Sequence, residues 1–189
     1  GGTNTNIVAN DLLLEAGGGS IGGAGYINVD QQNGALTARA GGDISIREVL
    51  GDMNVSTIFS RSDIRLIAQG SILYDFGNDF VNIQGDSITL TAQTGSIGQK
   101  GNALEIEATD DSPTELGLLT ATAQGDIVIT EQFGNMNVRN VLSTAGDVVL
   151  EAAASILDAV DLLDPTSPLT SGEAPTGTSQ LAADVLAHG

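Results

Sequence analysis

Short runs in which apolar and polar residues alternate recur along most of the chain, separated by glycine with aspartate or serine. The run ISIRE at 44–48 follows a Gly-Asp pair, and the run ITLTA at 88–92 precedes a Gly-Ser pair. Alternation over three to five residues is typical of half-buried strands, in which every second side chain faces inward. The Gly-Asp and Gly-Ser pairs are turn signals. The pattern predicts many short strands, and only residues 180–186 show a helical period.

The strand blocks are themselves repeated over long distances. The block GDISIRE at 42–48 returns as GDIVITE at 125–131, an offset of 83 in the numbering. The block LLLEA at 12–16 returns as ITLTA at 88–92, an offset of 76. The difference between the two offsets predicts an insertion of about seven residues, which the proline-containing segment 110–114 would hold.

Regular strand spacing and a long repeat favour an all-β fold, a right-handed parallel β-helix (β-solenoid). In such a fold each coil stacks on the last and buries one continuous apolar strip. A β-sandwich of the Greek-key type is the alternative. If a coil takes about 20 residues, the long repeat makes about four coils and the whole chain about nine.

Composition changes towards the end of the chain. Residues 1–160 are expected to form the solenoid, with a long repeat of about 83 residues. Residues 161–178 contain three of the four prolines and are expected to form a loop or linker. Residues 179–189 are expected to start the next coil, or to form the junction with a further unit.

Charge excludes several classes of function. The chain carries 24 acidic and 6 basic residues, so its formal charge is −18. Such a chain repels phosphate, which argues against nucleic acid as a partner. No run approaches the length of a membrane-spanning helix, so no membrane insertion is expected. The absence of cysteine excludes a disulfide scaffold, a thiolate metal site and a cysteine nucleophile.

The acidic residues are candidate catalysts, because β-helical polysaccharide lyases and hydrolases use clustered carboxylates with a basic partner. Stacked coils would align aspartates that precede strands, namely Asp43, Asp63, Asp126 and Asp147. All four occupy the same repeated turn, where an aspartate side chain accepts backbone N–H bonds. Arg61 and Arg65 lie near Asp63 but have no basic counterparts in the second repeat. No catalytic residue is therefore predicted, and His188 is expected to be a surface or junction residue.

Calcium is the ligand that so many carboxylates would suit best. Residues 22–27 begin like a glycine-rich calcium-binding nonapeptide, but Ile27 stands where the aspartate ligand should be. Asp30, the pair at 110–111, and Asp161 with Asp164 are loop carboxylates that leave loose Ca²⁺ binding open. No cofactor-binding or metal site is predicted.

The blocks at 88–98 (ITLTAQTGSIG) and 125–131 (GDIVITE) resemble the repeats of filamentous-haemagglutinin-like adhesins and related giant tandem-repeat exoproteins of bacteria. The resemblance covers about residues 8–160. It implies secretion, a long rod, and a role in adhesion, biofilm or a surface layer, and it supplies no catalytic residue.

The sequence therefore predicts a structural, non-enzymatic repeat unit of a bacterial extracellular or cell-surface fibre. Its expected partners are neighbouring copies of itself, stacked end to end. A glycan-binding adhesin module is the first alternative, and a β-helical polysaccharide lyase or hydrolase is the second.

Overall fold

The chain folds as a β-solenoid of about 7 turns, seen in a computed structural model that describes residues 4–74, 80–109, 116–159 and 185–187. All pairings between the described strands are parallel. The prediction of an all-β, parallel β-helical fold is confirmed, and the antiparallel β-sandwich is excluded. The predicted linker at 161–178, the loop at 110–114, and the residues Asp161, Asp164 and His188 lie outside the described residues.

Two sheets run the length of the solenoid. The nine-stranded sheet contains β1 (Ile7–Ala9), β3 (Ile27–Gln31), β5 (Ile44–Glu48), β7 (Ile64–Ala68), β10 (Ile88–Ala92), β12 (Leu119–Ala123), β14 (Met136–Ser143), β16 (Ile156–Asp158) and β17 (Val185–Ala187). The eight-stranded sheet contains β2 (Leu12–Ala16), β4 (Leu36–Ala40), β6 (Met53–Ser60), β8 (Ile72–Tyr74), β9 (Ile83–Gly85), β11 (Leu104–Ala108), β13 (Ile127–Glu131) and β15 (Val148–Ala152).

The core is a column of stacked side chains between the sheets. Ile88 at the start of β10 lies between Ile64 of β7 and Leu119 of β12, and all three are fully buried. Ala92 at the end of the same strand lies between alanines of both neighbours. Because each coil adds the same small set of inward positions, the narrow interior is filled by Ile, Leu, Val and Ala, and the chain needs few aromatic residues.

The long repeat corresponds to three and a half coils. From β5 the chain passes through β7 and β10 to β12, which completes three coils, and then crosses to β13 in the other sheet. Residues 42–48 and their counterparts at 125–131 therefore lie in opposite sheets. The repeat therefore places equivalent residues in the two sheets. Both sheets present the same pattern of side chains to the core.

The expectation of four coils in each long repeat was wrong, because the repeat makes three and a half coils and so does not return to the same sheet. The described residues form about 7 turns, whereas about nine coils were expected for the whole chain. The coils are longer than expected where a connection is extended. One coil runs from Leu12 to its paired residue Leu36, and a longer one runs from Ile88 to its paired residue Leu119.

Candidate functional site

Polar side chains in the turns bind the backbone of the next coil. The Oδ1 atom of Asp52 accepts from the Ser71 N–H at 2.6 Å, and Asp126 Oδ1 accepts from the Asp147 N–H at 2.9 Å. Asn82 does the same with the Glu105 N–H at 2.8 Å. Each bond spans about one coil of sequence, so these residues hold consecutive coils in register. The acceptor role expected of the aspartates is present for Asp126, but its donor lies in the next coil.

The four aspartates considered as a catalytic cluster form two separate pairs. Asp43 and Asp63 precede β5 and β7 of the nine-stranded sheet, whereas Asp126 and Asp147 precede β13 and β15 of the eight-stranded sheet. The expected alignment of all four is therefore wrong. The cause is the half coil in the repeat, which places the second pair on the opposite face.

Arg65 forms ion pairs with both members of the first pair. Its Nη2 atom lies 2.7 Å from Asp63 Oδ2, and its Nη1 atom lies 3.8 Å from Asp43 Oδ2. The Ser62 hydroxyl also donates to Asp43. These carboxylates are half exposed and already bound by a cation, so this cluster has the character of a surface ion-pair network that joins two coils.

The Gly-rich segment that begins like a calcium-binding nonapeptide forms a tight turn. Gly22 and Gly23 have φ angles of 93° and 60°, and a Cβ atom at Gly22 would lie 2.4 Å from the Ser45 carbonyl oxygen. Gly22 is therefore needed because the next coil packs directly on the turn, whereas Gly23 faces open space and is favoured by its positive φ alone. Among the described residues no group of three or more His, Asp or Glu side chains is placed to hold a metal ion.

Two buried glutamates form equivalent corners that were not expected from the sequence. Glu48 ends β5 and Glu131 ends β13, and each is 1% exposed. Glu48 accepts from the N–H of Gln31 at 2.7 Å and of Leu50 at 3.0 Å. Each carboxylate thus ties the coil below to the turn that follows its own strand. The signal was present, because Glu occupies the third inward position of both GDIxIxE blocks.

The buried corners have unusual proton affinities. Burial raises the pKa of Glu131 to about 7, with Glu107 adding to the rise, against the N–H donors of Ala108 and Phe133. At Glu131 these donors lie at 3.0 and 3.3 Å. Burial also raises the pKa of Glu48, where the Leu50 and Gln31 N–H groups oppose it. Both corners can change protonation state, but neither opens onto a described cavity.

A groove follows the outer face of the eight-stranded sheet. Strand pairing places Glu15, Arg39, Phe59, Gln84 and Glu107 above one another, one residue from each of five successive coils. We call this set the outer column. The Arg39 guanidinium lies over the Phe59 ring at 5.6 Å from its centroid. Among the described residues, no carboxylate lies within 4.0 Å of the Arg39 guanidinium.

Cavities flank the outer column. One of about 430 Å³ is lined by Glu15, Arg39, Phe59 and Arg61 with the backbone of the turn at residues 40–41. Another of about 470 Å³ is lined by Thr37, Thr57 and Gln84 beside the same Arg39 and Phe59. The groove thus offers an aromatic face, two guanidinium groups and several hydroxyl and amide groups. This combination can bind a polar chain molecule, because it supplies both a flat apolar surface and charged donors.

A further cavity of about 700 Å³ lies higher on the same sheet. Its lining includes Lys100, Glu105, Val128, Thr130 and Glu151. Charges of both signs are present without an aromatic residue. This cavity is therefore better described as a gap between coils than as a site that selects ligands of one charge.

Apolar side chains are exposed at both ends of the solenoid. In β2 at one end, Leu14 is only partly buried and Leu13 is 65% exposed. In β15 at the other end, Leu150 is only partly buried, and Ile156 of the adjoining β16 is 49% exposed. Within the part of the chain that the structure describes, no strand covers the outer edge of β2 or β15.

The part of the chain that the structure describes contains no helix that could serve as a membrane span. Comparison of the chain with family models, with curated proteins and with solved structures gives no match.

Proposed function

We propose that this chain is a structural, non-enzymatic repeat unit of a bacterial extracellular or cell-surface fibre, in which successive units stack end to end. The observation that carries the proposal is the apolar column, which continues into both end coils and leaves their inward residues partly exposed. A solenoid needs capping residues where its core ends in solvent. Further coils laid on these ends would take the place of caps.

The fold suits a mechanical role because each coil adds a fixed rise. About 7 turns at a strand spacing of about 4.8 Å give a rise of roughly 34 Å for each unit. The turn aspartates and asparagines bind each coil to the next, which favours a rod that resists bending. The net charge of −18 keeps such rods apart laterally.

Sedimentation velocity and electron microscopy of the purified chain, at rising protein and salt concentration, test this function. We expect species of constant width whose length grows in steps of roughly 34 Å. Salt should strengthen the association, because it screens the repulsion between two chains that each carry a charge of −18. A chain that stays monomeric at every concentration and salt level would overturn the role in end-to-end stacking.

A glycan-binding module is the second candidate, and the outer column favours it. Arg39 and Arg61 outnumber the one carboxylate of Glu15 in this groove, which therefore offers a net positive charge and the aromatic face of Phe59 on a strongly acidic protein. Successive members of the column are separated by about 4.8 Å along the axis, which is close to the length of one sugar residue. An acidic polysaccharide lying along the middle of the column would meet Arg39, Phe59 and Gln84, one side chain per sugar, between the carboxylates of Glu15 and Glu107.

Binding of acidic oligosaccharides, measured by calorimetry, tests this candidate. Arg39→Ala and Phe59→Ala should each weaken binding at least tenfold. Arg139→Ala is the matched control, since Arg139 is exposed in β14 of the other sheet. Equal losses in all three variants, or no binding by the native chain, would exclude the groove as a glycan site.

A further inference from the structure

The interior strand β9 has a neighbour on each side. Ile83 of β9 pairs with Ile58 of β6 below and with Ile106 of β11 above. The end strand β1 corresponds to β9 in the long repeat, because Ile7 and Ile83 differ by the offset of 76. The end strand β17 takes the place of β9 by its pairing alone. Among the described strands, each of them has only one of these two neighbours.

The strands β17 and β1 keep neighbours on opposite sides of the position that β9 occupies. Val185 of β17 pairs with Val141 of β14, which is the counterpart of Ile58 at an offset of 83. Ile7 of β1 pairs with Val29 of β3, which is the counterpart of Ile106 at an offset of 77. The strand β17 therefore has the lower partner of β9, and β1 has the upper partner.

The opposite sheet shows the same complementarity. In the interior, Ile64 of β7 pairs with Ile88 of β10. The counterpart of Ile64 is Val148 of β15, and the counterpart of Ile88 is Leu12 of β2. Among the described strands, β15 lacks an upper neighbour and β2 lacks a lower one. The segment from β6 to β11 thus shows, within one chain, the strand pairings that a junction between the two ends of this solenoid would have.

We infer that the end bearing β15 binds the end bearing β2 of a second copy of this chain, in the register of β7 and β10. This inference rests on the proposed function and specifies its contact. Val148 then pairs with Leu12, Leu150 with Leu14, and Ala152 with Ala16 of the second copy. The apolar core of one molecule continues into the next without a break.

A third contact follows from the isolated bridge between Ile72 and Ile97. Their counterparts are Ile156 in β16 and Ile21 in the turn after β2. Ile156 is 49% exposed in the single chain, and the junction would bury it against Ile21 of the second copy. Burial of these apolar side chains stabilises the junction in proportion to the area removed from water.

The junction has room for only one strand in the place of β9. Suppose that β15 of the first copy pairs directly with β2 of the second copy. Then β17 of the first copy and β1 of the second copy compete for one position, which lies between β14 of the first copy and β3 of the second. Asn28 donates through its side chain to the Asn4 carbonyl and through its backbone to Asn6 Oδ1, both at 2.9 Å. These bonds hold β1 on β3, so we expect β17 to leave its place.

Disulfide cross-linking tests the register, since the native chain contains no cysteine. Leu13 and Val149 face outward and are 65% and 44% exposed. They are the counterparts of the paired residues Thr89 and Arg65. The double variant Leu13→Cys/Val149→Cys should form a ladder of disulfide-linked multimers under mild oxidation. Paired parallel strands bring the Cα atoms within the range that a disulfide requires.

The matched control is Leu13→Cys/Glu151→Cys. It shifts one cysteine by two positions along β15 on the same face, which moves it about 7 Å along the strand and places the two Cα atoms about 8 Å apart, beyond the range of a disulfide. We expect at least tenfold less cross-linking from it. Equal ladders from both double variants, or dimers from Val149→Cys alone at the rate of the ladder, would overturn the inference. Association of the native chain in sedimentation without the in-register ladder would overturn this register but leave the proposed stacking intact.

Hydrogen exchange tests whether only one strand occupies the position of β9 at the junction. On association, the amides of residues 185–187 should lose protection at least tenfold, while those of residues 7–9 keep or gain it. Unchanged protection of both strands would show that they stack on each other, and would overturn the strand displacement.

Discussion

The corner that follows β5 and the corner that follows β13 have the same backbone design but different surroundings. In each, a buried glutamate binds one N–H in the coil below and one in its own turn. Below Glu48 lies Gln31, whose side-chain Oε1 in turn accepts from the Asn54 N–H at 3.1 Å. Below Glu131 lies Ala108, which provides no polar side chain.

Both corners place an acceptor at the same position, although the cost of burying it differs. Around Glu48, polar neighbours and the shorter hydrogen bonds compensate part of the burial. Around Glu131 the compensation is smaller, and burial raises its pKa to about 7. Equivalent positions in a repeat protein thus share a structural role while they differ in electrostatic stability.

Replacing the two glutamates by alanine should have the largest effect. Glu48→Ala leaves two N–H groups without their acceptor, and at about 1–3 kcal/mol each we expect a loss of about 4 kcal/mol at pH 8. Glu131→Ala should cost only about 2 kcal/mol, because its ionised carboxylate is already penalised by burial at this pH. Urea unfolding followed by circular dichroism measures both values.

Glu151→Ala is the control, since its side chain is exposed on β15 and should change stability by less than about 0.5 kcal/mol. A larger loss for Glu131→Ala than for Glu48→Ala would contradict the comparison of the corners.

The turns beneath the two corners offer a second comparison. Gly22 and Gly98 are counterparts with φ angles of 93° and 66°, and the next coil lies directly against both. A Cβ atom would lie 2.4 Å from the Ser45 oxygen at Gly22 and 2.1 Å from the Val128 oxygen at Gly98. Gly98→Ala should therefore cost about 3 kcal/mol, and Gly22→Ala slightly less.

Gly134→Ala separates the two causes of this loss. Gly134 has a φ angle of 80° but nothing within 4 Å of an added Cβ atom. Only the left-handed backbone penalty applies there, about 1 kcal/mol. If thermal unfolding shows equal losses for Gly134→Ala and Gly98→Ala, close packing of the next coil on the turn is not the reason for glycine.

Much of this fold is visible in the sequence, because strand and turn are local properties. The Gly-Asp pair and the alternation at 44–48 correctly predict the strand β5. The half coil is not local, since it depends on how far connections such as the one between β10 and β12 extend. For that reason Asp43 and Asp126, identical in their repeats, were expected on one face and lie on opposite ones. The groove at Arg39 and Phe59 was also missed, because its residues come from different coils and form no sequence motif.

The pH dependence of stability should distinguish the two corners further. A folded pKa of about 7, against an ordinary value of 4.5, means that the native state keeps a proton that the unfolded chain has lost. Stability contributed by Glu131 is therefore fully present below about pH 4.5 and is lost as the pH rises through 7. The loss is at most about 3 kcal/mol.

Glu131→Gln should remove this part of the pH dependence, and Glu48→Gln should remove a smaller part. Chemical unfolding at several pH values between 4 and 8 measures the slopes. General repulsion among acidic groups changes stability in the same direction, so only the difference from the native chain is informative. Identical slopes for the native chain and Glu131→Gln would show that Glu131 titrates normally.

The smallest expected effect concerns two serines that should behave alike. Ser60 donates to the Gly42 carbonyl at 2.8 Å and accepts from the Ser62 N–H at 2.9 Å. Ser143 donates to the Gly125 carbonyl at 2.8 Å and accepts from the Gly146 N–H at 2.9 Å. Each hydroxyl links its own turn to the preceding coil, and neither carries a charge.

Because the two serines share geometry and burial, Ser60→Ala and Ser143→Ala should each cost about 1–2 kcal/mol, with values equal to within about 0.5 kcal/mol. Thr144→Ala is the control, as Thr144 is exposed beside Ser143. Urea unfolding at pH 5 and pH 8 should give the same losses, since no titratable group is removed. Unequal losses would mean that the two halves differ in packing as well as in electrostatics, and the contrast between Glu48 and Glu131 could then no longer be assigned to their charges alone.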